Sequence, residues 1–66
     1  MAVVNTLKNT RKKHGISQKG IADATGFSIK TVSRVEQCEQ APSAEFMLRV
    51  AAYFNLMVED IFQIKE

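Results

Sequence analysis

A chain of 66 residues, 45% apolar and 24% charged, has room for one small domain that buries about 60% of its unfolded surface, so its core is thin. One cysteine, Cys38, excludes an intramolecular disulfide, no paired metal-ligand spacing is present, no apolar run approaches the ~18 residues of a membrane span, and the start MAVVNTLKNTRKK lacks the basic-then-apolar order of a secretion signal. Net charge is +2, yet residues 1–34 carry seven Lys/Arg against one acid and residues 35–66 two against six, so the first half is the one suited to a polyanion.

Asn5 is placed to cap a first helix running to about Lys13, with Leu7 inward, and His14-Gly15 ends it because glycine takes the left-handed conformation at little cost. Ser17 caps a second helix that runs to about Thr25, turns Ile21 and Ala22 inward and stops at Gly26. Ser28 caps a third, to about Gln37. Measured from Ile29 at about 100° per residue, Val32 and Val35 fall near 300° and 240°, whereas Ser33, Gln37, Lys30 and Arg34 span roughly 40° to 140°. One face is core, and the opposite face is a hydrogen-bonding, cationic strip.

Pro42-Ser43 starts a fourth helix, with Phe46, Val50, Ala51 and Phe54 at helical spacing and Glu45 in the first turn, where an acid suits the helix dipole. A short fifth helix, VEDIF, follows Leu56 and Met57, and FQIK then alternates like a strand with which Ala2, Val3 and Val4 can pair. Such a ribbon leaves edges that invite a second subunit. The large apolar residues crowded between Phe46 and Ile64 are too many to lie inside so small a domain, so some form a contact surface.

The stretch ISQKGIADATGFSIKTVSRVE resembles the helix-turn-helix of the phage Cro and repressor proteins, and the chain from about Leu7 to Phe62 looks like their five-helix domain, closing VEDIF included. Ala22 is small where two helices cross, Gly26 supplies the turn, and Ile21, Val32 and Val35 fill the shared core. The resemblance implies an all-α, five-helix, lambda-repressor-like DNA-binding domain over residues 1–66, with the motif at about 17–37, to which the alternation of the chain ends adds a short terminal two-stranded β ribbon. It also implies that the second motif helix enters the major groove while the first crosses the backbone, usually in a two-fold dimer.

Candidate DNA-binding residues are therefore Gln18, Lys19, Ser28, Ile29, Lys30, Thr31, Ser33, Arg34 and Gln37. By resemblance, Gln18 meets a phosphate and steadies the reading helix. Arg34 has a planar fork that fits guanine O6 and N7 or clamps a phosphate, and Lys30 has the same two options. Ile29 either packs against its own domain or presses on a thymine methyl. Ser17 and Ser28 are caps or phosphate contacts, and Lys12 and Lys13 complement the dipole of the first helix or touch the backbone. Arg11 and Glu36 match positions at which relatives hold a partly buried ion pair, a structural role.

Two departures from the family stand out. Lys19-Gly20 replaces a common acidic position, at a cost of about 0.5–1 kcal/mol for glycine inside a helix. After the reading helix the chain has EQCEQ without glycine, which puts the usual left-handed cap and a phosphate contact there in question; Cys38 is expected as a small buried or half-buried thiol.

The expected function is a sequence-specific double-stranded DNA-binding transcriptional regulator, cytoplasmic, homodimeric through its C-terminal apolar residues, repressing at a near-palindromic operator. The same fold also allows a protein-binding module, antitoxin-like or an accessory subunit. No catalytic site, cofactor or metal is expected, since His14 is the single histidine, in a turn, without a nucleophile or ligand cluster around it.

Overall fold

The computed structural model describes residues 2–65. Their order is β1 (Ala2–Asn5), α1 (Leu7–Lys13), α2 (Gln18–Thr25), α3 (Ile29–Glu36), α4 (Ala44–Phe54), α5 (Val58–Ile61) and β2 (Phe62–Lys65). The expected five helices are present, and so is the ribbon: β1 and β2 pair antiparallel, with Val3 opposite Ile64 and Asn5 opposite Phe62.

The helix starts follow one chemical rule. Ser17, Ser28 and Ser43 hold extended backbone, and each hydroxyl accepts the backbone N–H three residues on, from Gly20, Thr31 and Phe46, satisfying a donor that the first turn would leave open. At α5 the bond runs the other way, the Asp60 carboxylate accepting the Met57 N–H at 3.0 Å. The start of α1 differs from expectation: Thr6 is the capping position and makes no side-chain cap, while Asn5 lies in β1 and its Oδ1 accepts the Leu7 N–H at 3.1 Å. Asn5 thus serves α1 from inside a strand. Its Nδ2 also donates to the Val35 carbonyl at 2.8 Å, tying the ribbon to the end of α3.

The helix ends share a rule too. Gly15, Gly26, Cys38 and Asn55 all have left-handed φ, between 57° and 79°, and the residue after each donates back to a carbonyl of the last turn: Ile16 to Arg11, Phe27 to Ala22, Glu39 to Arg34 and Leu56 to Ala51. Cys38 corrects two expectations at once. The left-handed cap after α3 is made without glycine, at φ 60°, and the thiol is exposed rather than buried, because a left-handed residue past a helix end points away from the core. A side chain there carries a steric cost that glycine avoids. Cys38→Gly is expected to raise stability by about 0.5–1 kcal/mol after its entropic penalty; a urea midpoint that stays put or falls, at unchanged m-value, would count against the strain.

The core is built from Leu7, Ile21, Ala22, Val32, Val35, Phe46, Val50, Ala51, Phe54, Ile61 and Phe62, all buried. Phe46 is its hub: edge-on to Phe27, with centroids 5.0 Å apart, it holds the turn between α2 and α3, and 6.3 Å from Phe62 it meets the ribbon. The surplus of apolar residues divides as anticipated. Phe46, Phe54, Ile61 and Phe62 go inside, whereas Leu48, Tyr53, Leu56, Met57 and Ile64 stay exposed. No helix among the described residues is long and apolar enough to cross a membrane.

Candidate nucleic-acid interface

Helices α2 and α3 pack together around Ile21, Ala22, Thr25, Val32 and Val35, with Gly26 turning the chain between them at φ 79°. The buried Thr25 hydroxyl donates to the Ile21 carbonyl at 2.7 Å, so α2 can bury a threonine without an orphan polar group. Gly20 also has a local reason. A β-carbon there would stand 3.1 Å from Ile16 Cγ2 and 3.4 Å from Ser17 Oγ, crowding the cap.

With Val32 and Val35 turned inward, α3 presents Ile29, Lys30, Ser33, Arg34 and Gln37 along its outer side, as its periodicity implies. Ile29 is 46% exposed, so it is not a lid over the core. Lys30 and Arg34 are both exposed, one turn apart, and neither has an ion-pair partner among the described residues. Like charges at this spacing repel, and the one acid of α3, Glu36, faces inward. The outer face therefore has uncompensated positive charge. Ser33 is half-buried and lies 3.4 Å from Gln37 Nε2, a long contact that leaves both side chains free to take other partners.

Ser28 and Thr31 stand apart from this strip. Their hydroxyls are 3.0 Å from each other while Ser28 Oγ also accepts the Thr31 N–H, and Thr31 is half-buried, lining a cleft of about 220 Å³ with Phe27, Val35, Pro42 and Phe46. Lys19 is exposed near the start of α2 and reaches Asp23 at 3.7 Å. Exposed pairs of this kind contribute under about 1 kcal/mol and do not hold the lysine. Lys12 and Lys13 lie exposed in the last turn of α1, and His14 packs its ring on Phe54 at 4.9 Å.

Behind the strip lies a buried ionic cluster. Arg11 Nε and Nη2 donate to the two oxygens of Glu36 at 2.7 and 3.1 Å, with the side chains only 10% and 2% exposed, and Arg11 Nη1 donates to the Ile16 carbonyl at 3.0 Å. The hydrogen bond to Glu36 outweighs the cost of burial and, with the charge of that carboxylate, drives the Arg11 pKa upward. Gln18 joins the cluster, its Nε2 donating to Glu36 Oε1 at 3.1 Å. That bond spans 18 residues of sequence, and no local pattern announces it.

The helix-turn-helix family profile matches residues 7–61. An uncharacterized HTH-type transcriptional regulator of Methanocaldococcus jannaschii is 33% identical over 58 residues, 88% of each chain. The N-terminal DNA-binding domain of SinR from Bacillus subtilis superposes with a TM-score of 0.74 at 30% identity, covering 80% of this chain and 78% of that one. The restriction-modification controller protein C.AhdI from Aeromonas hydrophila gives a TM-score of 0.77 at 24% identity over 82% of each chain, a likeness of fold.

Proposed function

This chain belongs to the helix-turn-helix family of DNA-binding transcriptional regulators, and from that premise we propose that it represses transcription by occupying a near-palindromic operator as a homodimer. The observation that carries the reading is the outer face of α3: two exposed cations without ion-pair partners among the described residues, flanked by Ile29, Ser33 and Gln37, on a helix whose only acid is turned inward. Residues 1–66 act as one binding unit in the cytoplasm.

In this reading α3 enters the major groove. Arg34 donates to guanine O6 and N7, Lys30 to a base edge or phosphate, Ser33 and Gln37 hydrogen-bond neighbouring bases, and the exposed Ile29 meets a thymine methyl. Gln18 and Lys19, at the start of α2, hold backbone phosphates, and Ser28 with Thr31 shapes the start of the reading helix. Leu48, Tyr53, Leu56, Met57 and Ile64, with the open edges of the ribbon, supply the apolar surface that a second copy covers. Blocking a promoter needs no more than this.

Selection of bound duplexes from a random pool is the test. The expected product is an inverted repeat whose half-sites lie about 34 Å, or a multiple of that, centre to centre. Arg34→Ala should weaken binding to the selected duplex by about 1–3 kcal/mol and relax preference at one position of each half-site. Unchanged affinity and preference would remove Arg34 from the interface.

A further inference from the structure

We propose that Glu36 is a positioning residue for DNA binding: its buried carboxylate, clamped by Arg11, holds the side-chain amide of Gln18 with the nitrogen inward and leaves the second N–H of that amide for a phosphate. This rests on the reading of Gln18 as a phosphate contact and extends it to a residue that touches no DNA.

A side-chain amide ends in two donors on nitrogen and an acceptor on oxygen, and rotation by half a turn exchanges them. A phosphate accepts from the nitrogen and repels the oxygen, so the contact exists in only one of the two orientations. Glu36 selects that one. Its Oε1 lies 3.1 Å from Gln18 Nε2, and a carboxylate oxygen accepts and does not donate, so the flipped amide would set oxygen against oxygen at this distance.

The carboxylate itself cannot swing away. Arg11 bonds both of its oxygens, at 2.7 and 3.1 Å, and the Glu36 side chain is 2% exposed. Arg11 is in turn anchored on the Ile16 carbonyl, in the link leading to α2. The ordering runs from α1 through the carboxylate of α3 to the first residue of α2, so the glutamine is set before DNA arrives and loses less rotamer freedom on binding.

A cycle of four proteins tests this: wild type, Gln18→Ala, Arg11→Met with Glu36→Met, and all three substitutions together. The paired methionine swap removes the acceptor without stranding a buried charge, which keeps the fold. On a labelled duplex taken from the selection, each change is expected to weaken binding about tenfold, and the combination no further, because both remove one contact. Losses that multiply to about a hundredfold would overturn the proposal. Nitrogen-15 relaxation of the Gln18 side-chain amide in the free protein gives a second readout: rigid in wild type and mobile in the methionine pair is expected, and equal mobility in both would overturn it. If wild type bound no duplex, the DNA reading would fail, and the amide relaxation would still decide whether Glu36 orders Gln18.

Discussion

Arg11→Ala is expected to cost about 3–5 kcal/mol of folding stability, because it leaves the carboxylate of Glu36 buried without its cation. Two guanidinium bonds to that carboxylate are lost, at 2.7 and 3.1 Å, and so is the bond to the Ile16 carbonyl. A domain of this size has roughly 3–10 kcal/mol in total, so the variant should be largely unfolded or close to it. The exposed pairs Lys19–Asp23 and Glu45–Arg49 make the contrast: breaking either should change stability by less than about 1 kcal/mol. Replacing Arg11 and Glu36 together by methionine should recover most of the loss, since no charge is then stranded. Urea unfolding followed by circular dichroism measures all of these. A single-site loss under about 1 kcal/mol at Arg11 would mean that the pair is solvated and that α1, α2 and α3 are held together by apolar contacts alone.

The fold was legible where a local chemical rule is strong. Serine before an amphipathic run marked three helix starts, and the spacing of Val32 and Val35 in α3 and of Phe46, Val50, Ala51 and Phe54 in α4 picked out buried faces. Alternation in FQIK found β2. Legibility ended where one residue serves two elements. Asn5 has the composition of a cap and does bond the Leu7 N–H, but its backbone pairs with Phe62 in the ribbon, and propensity alone does not separate these roles. Cys38 failed differently. The left-handed position after α3 is set by the two bonds that close the helix, from Cys38 to Val35 and from Glu39 to Arg34. Neither glycine nor asparagine marks it.

The outward strip of α3 was equally readable, because one helical period separates Lys30, Ser33, Arg34 and Gln37 from the valines. Thr31 was not separable by composition, and the structure shows it beside Val35 at the cleft, sharing its hydroxyl with Ser28. Ile29 admitted both an inward and an outward role, and at 46% exposure it is outward. Leu48 is exposed, as its place about 200° from Phe46 on the wheel of α4 implies. The link from Gln18 to Glu36 had no signal at all, since it depends on how α2 meets α3 in space.

Binding to duplex DNA should depend steeply on salt. Lys19, Lys30 and Arg34 are exposed cations on or beside the two motif helices, and a dimer doubles them. If Lys19 and Lys30 of the two copies neutralise about four phosphates, the released counterions give a slope of about −3.6 in log affinity against log salt, or about a hundredfold loss between 50 and 200 mM. This term is shared by every duplex, so it reports the cationic face and not the sequence. The base contacts of α3 should add at least about a thousandfold preference for the selected inverted repeat over a scrambled duplex at the same salt. The most direct measurement is therefore a salt titration of affinity on both duplexes. A steep slope on each, with the selected duplex bound far more tightly throughout, is the predicted result. A signal flat in salt, or equal affinity for the two duplexes, would contradict a reading helix that enters the groove.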